Sequence, residues 1–156
     1  MSSFFAQFTS KQSIKFIDQV QEPFKNLPHL PDSVIEFVAK IAPVLAIIGG
    51  FLWIVVVGLQ TLVASLSLLS LNPAGSMFMI VSAVISLLMG ALFLMAYKPL
   101  QARKMEGWVY LFWTEVLYTV TVLLDLVEGR VFSFVPSLIG VLIGFYFVFE
   151  IRKQYK

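Results

Sequence analysis

The sequence predicts an all-α fold, an integral membrane four-helix bundle with an amphipathic N-terminal interfacial helix. Three observations predict it. Hydrophobic residues make up 59% of the 156 residues and charged residues only 13%, whereas soluble domains run at about 45–50% and about 25%. Mean hydropathy is +0.90. No Asp, Glu, Lys or Arg occurs across residues 41–97, a run of 57 between Lys40 and Lys98. About 18 apolar residues already make a candidate span, so this run holds two spans and a turn. The remaining charges fall in blocks that alternate with apolar stretches, as four crossings require.

The chain divides into residues 1–32, a surface segment on the cytoplasmic side, and residues 33–156, the four-span bundle. Ile14, Ile17, Val20 and Phe24 recur at spacings of three and four, with Lys11, Lys15, Asp18 and Glu22 between them. That is amphipathic helical periodicity. With Phe4, Phe5 and Phe8 ahead of it, the stripe is expected to lie in the headgroups; the alternative is packing on the protein itself. Pro28 and Pro31 end this helix. Ser33 and Glu36 fit a capping box that starts the next. Pro43 removes a backbone donor and predicts a bend at Ala42–Pro43.

The spans are expected at about 43–70, 76–97, 108–127 and 132–149. The first is long for the bilayer: residues 41–71 as a helix reach about 46 Å against a hydrocarbon core of about 30 Å. "NPAGS" (72–76) reads as the turn, with Ser76 capping the second span. Tyr97, Lys98 and Pro99 close that span. Trp108, Tyr110 and Trp113 read as interfacial aromatics at the start of the third. "DLVEGR" is the last turn, with Asp125 and Glu128 read as solvated, and Pro136 suits the first turn of the fourth helix. No cleavable signal peptide is read in the first forty residues, so the first span is expected to act as the insertion signal.

Ten of the eleven basic residues fall at the N-terminal segment, the loop after span two, or the tail; only Arg130 falls at the other end. The positive-inside rule then puts both termini in the cytoplasm of a multi-pass protein of the plasma (inner) membrane. Lys98, Arg103 and Lys104 are the expected lipid-headgroup contacts.

Lipid removes the hydrophobic drive between helices, so small residues that permit close approach mark the packing faces. They are Ala46 and Gly50 in span one, Ser82, Ser86 and Gly90 in span two, and Gly140 and Gly144 in span four. They suit contacts within the bundle, the expected use of each track, or a homo-oligomer interface. Span three carries a carboxylate, Glu115, about 10 Å along the helix from Trp108 and short of the bilayer middle. Intramembrane carboxylates face the bundle interior or a water-filled cavity. Tyr118 and Thr119, one turn on, are its expected hydrogen-bond partners, and Lys98, Arg103 and Lys104 the nearest cations. The site reads either as a structural hydrogen bond between spans or as a proton- or cation-handling group.

The chain has no cysteine and one histidine, His29. A lone histidine is far from a metal site, and no catalytic constellation or phosphate loop can be assembled. No cofactor, metal, nucleic-acid partner or enzymatic activity is expected. The stretches "LPHLPDSVIEFVAKIAPVLAIIGG" and "YKPLQARKMEGWVYLFWTEVLY" resemble those of small four-helix bacterial membrane proteins. The resemblance implies a bacterial plasma membrane and implies no activity. The expected function is a membrane scaffold or accessory subunit that packs with itself or other membrane proteins. The alternative is a small oligomeric channel or transporter with Glu115 on a proton or cation path.

Overall fold

The structure, a computed structural model, describes residues 10–69, 73–127 and 129–156. The expectations for Phe4, Phe5, Phe8, Asn72 and Glu128 fall outside these. Five α-helices follow in order: α1 (Lys11–Gln21), α2 (Asp32–Leu69), α3 (Pro73–Gln101), α4 (Met105–Val127) and α5 (Val131–Ile151), with short 3-10 turns at Glu22–Phe24 and Arg152–Gln154. Among the described residues there is no strand. Four segments are long and apolar enough to cross a membrane: Asp32–Val63, Met77–Gln101, Met105–Val127 and Phe134–Gln154. Their outward faces are apolar, as lipid requires: Phe51 is 64% exposed and Leu59 59%. This is a multi-pass α-helical membrane bundle. Helix α2 packs on α3, α3 on α4 and α4 on α5, while α2 and α5 touch lightly. Both described chain ends and the α3–α4 corner lie at one end of the bundle, the terminal end; the opposite, distal end holds Gly129 and Arg130.

Three boundaries differ from expectation, each for a physical reason. Helix α2 is continuous for 38 residues, about 57 Å, and does not break at Pro43. A proline leaves the carbonyl four residues earlier without its amide. Here that carbonyl, on Ala39, accepts from the buried Tyr155 hydroxyl at 3.3 Å, so the tail repairs what Pro43 removes. Burial raises the Tyr155 phenol above its ordinary pKa, against the opposing pull of the Arg103 guanidinium, and the group stays a donor. The expected Ser33 cap is not used. Helix α2 begins at Asp32, and the Pro31 carbonyl takes the Val34 and Ile35 amides at 2.9 and 3.1 Å. Residues 73–76, read as a turn, already belong to α3, with Pro73 as its first residue, so Ser76 lies within the helix and not at its N-cap position.

The small-residue tracks face neighbours inside the chain. A Cβ on Gly50 would lie 2.9 Å from the Leu94 side chain and 3.2 Å from the Gly90 carbonyl oxygen, so α2 and α3 meet backbone to backbone. Ala46 and Ser86 are fully buried and Ser82 nearly so. Gly144 and Gly140 lie against Glu115 and Tyr118 of α4.

Helix α1 is capped by Ser10, whose side chain accepts from the Ser13 amide at 3.3 Å. Its stripe turns onto the bundle instead of lying wholly in headgroups: Ile17 is 0% exposed. Phe16 stacks on Trp113 with centroids 5.7 Å apart, and Asp18 pairs with Arg152 at 2.8 Å. Ile14 and Phe16 keep about two-fifths of their surface, at 39% and 42%, so the outer part of the stripe still faces away from the protein. The buried partners α4 and α5 offer outcompete lipid because aromatic rings meet aromatic rings in defined geometry.

Trp108 and Tyr110 are likewise core residues, 1% and 4% exposed, not an interfacial belt. The Trp108 indole donates to the Val148 carbonyl at 2.5 Å. Its ring lies 6.2 Å from Phe112 and 6.3 Å from Phe149, in a cluster completed by Phe145 and Phe24. This cluster fills the terminal half of the bundle.

Candidate functional site in the distal half of the bundle

Beyond the aromatic cluster the four helices line a cavity of about 440 Å³. Helix α2 contributes Trp53 and Gln60, α3 Ser82, α4 Tyr118, Thr121 and Asp125, and α5 Ser137, with Arg130 from the last turn. All four spans therefore line it. Asp125 and Arg130 pair at 2.8 Å near the distal end, so Asp125 is held by a partner where simple solvation was expected. Tyr118 lies two turns deeper, about 10 Å along α4, with its ring edge-on to Trp53 at 6.3 Å.

Glu115 lies a further turn toward the terminal end. Helix α4 starts at Met105 and ends at Val127, so Glu115 is near the helix midpoint. The carboxyl group lies flat against Gly144: a Cβ there would stand 2.6 Å from its carbon and both oxygens. A Cβ on Gly140 would stand 3.8 Å from the Tyr118 hydroxyl. The glycine pair of α5 is thus the wall on which the α4 polar groups rest.

The expected hydrogen bonds to Glu115 do not form. The Thr119 hydroxyl donates to the backbone carbonyl of Glu115 at 2.8 Å, since a threonine reaches its own helix four residues back more readily than a neighbouring side chain. Tyr118 points to Trp53 and the Gly140 wall. Among the described residues no cation meets the carboxyl. Lys98 and Lys104 are exposed at the terminal end, and Arg103 stands over the Tyr155 ring at 5.8 Å. Glu115 Oε2 is buried without a hydrogen-bond partner, as are Gln60 Oε1, Ser86 Oγ and, at the terminal end, Arg103 Nη1. Ser86 is one turn from Ser82 on α3.

Gln60, Thr121, Ser137 and the Asp125–Arg130 pair were not anticipated as site residues. The signal for Gln60 was present: it is the one carboxamide between Lys40 and Asn72, where a glutamine needs a polar reason to stay. In sequence Ser137 is indistinguishable from hydroxyls that bond their own helix, as Thr61, Ser65 and Thr114 do, and Thr121 does so too, donating to the Leu117 carbonyl at 3.1 Å.

His29 bonds through Nδ1 to Glu150 Oε1 at 2.7 Å. No protein-family model matches the chain, and no curated protein and no solved structure matches it either.

Proposed function

We propose that this protein moves protons or a small cation across the membrane, with the distal cavity as entrance and Glu115 as the group that takes up the charge. One observation carries the proposal. Three buried polar atoms without partners, on Gln60, Ser86 and Glu115, belong to helices that border one cavity or the turn below it. An unmatched buried polar atom costs about 1–3 kcal/mol, and such groups in a bundle call for water, an ion or a ligand. A carboxylate placed only for packing would be hydrogen-bonded. By the positive-inside rule the terminal end is cytoplasmic and the cavity opens outward, in a bacterial inner membrane. The aromatic cluster below closes the other half, which suits a carrier or a gated path better than a standing pore.

The second reading is a scaffold or accessory subunit, alone or as a homo-oligomer. It is favoured by the length of α2, about 57 Å, and its exposed Phe51, Leu59, Leu62 and Leu66, more apolar helix than one bilayer crossing needs. Against it, the small-residue tracks that would drive self-association face neighbours within the chain.

The test is reconstitution in vesicles under an imposed proton or potassium gradient. The wild type is expected to dissipate the gradient at least tenfold faster than empty vesicles. Glu115→Gln is expected to fall to the empty-vesicle rate with its elution volume in detergent unchanged. Wild-type vesicles as tight as empty ones, or a Glu115→Gln variant as active as the wild type, would end the transport reading; an altered elution volume without flux in any variant would favour the scaffold.

A further inference from the structure

A second cavity is larger than the distal one. It lies at the terminal end, between the α1 segment and the last turns of α5, with a volume of about 750 Å³. One wall is aromatic, from Phe24, Tyr146 and Phe149; the other is charged, from Lys25, Arg152, Lys153 and Glu150. Such a two-faced cavity at the end of a membrane span matches an amphiphile, and its chemistry narrows the choice.

Each cation already holds an acid: Lys25 meets Glu22 at 2.6 Å, Arg152 meets Asp18 at 2.8 Å and Lys153 meets Asp32 at 2.5 Å. None is used up. A lysine has three donors and an arginine five, and both bonds that Arg152 makes, to Asp18 and Gln21, fall on Nη1. The guanidinium is held with its centre 4.9 Å from the Trp108 ring, which fixes its plane. Pre-oriented arginine and lysine donors on one rim are the usual phosphate recognition set. Beside them on the same wall is Glu150. Its oxygens accept from the Leu30 amide at 2.9 Å and bond His29 at 2.7 Å, two of about four acceptor positions on a carboxylate.

Charge balance then decides the headgroup. The acids that pair the three cations leave no large positive surplus, so a net anion gains little over a neutral headgroup. A zwitterion with its own ammonium satisfies both sides.

We propose that this cavity is a binding site for a zwitterionic glycerophospholipid with a primary ammonium head. Its phosphodiester accepts from Lys25, Arg152 and Lys153. Its ammonium donates to Glu150, and its glycerol and first methylenes lie on Phe24 and Tyr146. A quaternary ammonium has no N–H to donate and loses the Glu150 contact. The site is separate from the Lys98–Lys104 loop expected to meet headgroups, where Lys98 and Lys104 stand exposed and do not line this cavity.

The full chain, purified in detergent and stripped of lipid, is tested by native mass spectrometry with phosphatidylethanolamine, phosphatidylglycerol, phosphatidylcholine and soluble phosphoethanolamine. Phosphatidylethanolamine is expected to be retained at least tenfold better than each of the others. Lys25→Gln with Lys153→Gln is expected to lose that retention, while Lys98→Gln with Lys104→Gln keeps it. Glu150→Gln is expected to keep phosphate binding and to erase the preference over phosphatidylcholine, a change that loss of fold does not produce. Preference for phosphatidylglycerol, equal retention of all lipids, binding of phosphoethanolamine as tight as that of the lipid, or sensitivity to the loop pair would each overturn the assignment.

Discussion

Arg152 and Gln60 both bring polar atoms to the bundle, at opposite ends, and they meet opposite surroundings. Arg152 finds Asp18, Gln21 and the face of Trp108. Gln60 ends with a buried oxygen that no group reaches. The contrast extends to whole regions. At the terminal end the tail pairs with the α3–α4 corner, Met105 donating to the Lys156 carbonyl at 2.8 Å and Lys156 to that of Arg103 at 3.0 Å. Five aromatic rings close the space above. From mid-bundle to the distal end the spans line a cavity with polar side chains, and three polar atoms there stay unmatched, against one at the terminal end, Arg103 Nη1, whose guanidinium lies over the Tyr155 ring. A membrane bundle has no reason to hold such atoms for stability. The terminal half reads as the part that holds the fold, and the distal half as the part free to do chemistry.

Substitutions at matched positions sharpen that division. The largest effect is expected at Gly107, in the first turn of α4, where a Cβ would stand 2.5 Å from the Leu100 amide nitrogen and 2.9 Å from the Pro99 carbonyl carbon. Both atoms belong to the Pro99–Leu100 peptide, backbone that cannot yield, so Gly107→Ala is expected to destabilise by about 3 kcal/mol, read as a lower Tm in detergent. A Tm equal to wild type would mean that the terminal corner is looser than its contacts imply.

The repair of Pro43 comes next. Tyr155→Phe leaves the Ala39 carbonyl without its donor and is expected to cost about 1 kcal/mol. In a Pro43→Ala background the helix supplies its own amide to Ala39, and the cost of Tyr155→Phe is expected to fall to about half or less. Additive costs would show that the hydroxyl does not serve that carbonyl.

The smallest stability effect is expected in the distal half. At Gly144 the clash is with the far end of the Glu115 side chain, which can swing away. Gly144→Ala is expected to change stability by less than about 1 kcal/mol, yet to cut flux at least tenfold by moving the carboxyl off its wall. Gly140→Ala, with 3.8 Å of room before Tyr118, is expected to leave both unchanged. A reversal of the two glycines would contradict the placement of Glu115.

How much of this was legible differs between the same two regions. The four spans and the gathering of basic residues at one end follow from charge spacing alone, because hydrocarbon penalises charge whatever the tertiary contacts. The glycine tracks were legible as packing faces, since only small residues let helices approach. The continuity of α2 was not legible. It depends on Tyr155, 112 positions from Pro43 in the chain, and local rules see only the proline. The docking of α1 depends in the same way on Asp18 meeting Arg152. Glu115 was legible as a group needing an explanation, but its wall was not. Its spacing to Tyr118 and Thr119 suggested partners, whereas the structure turns one hydroxyl to the backbone and the other across the bundle.

The central claim is that water reaches the distal half of this bundle. The protein has no cysteine, so each one introduced is unique. Ser82→Cys, on the cavity wall, is compared with Leu123→Cys, 51% exposed on the apolar outer face, in vesicles treated with a charged, membrane-impermeant thiol reagent. The account predicts that Ser82→Cys reacts at least tenfold faster than Leu123→Cys, and from the distal side. If Ser82→Cys is as inert as Leu123→Cys, the distal half is dry and the path to Glu115 does not exist.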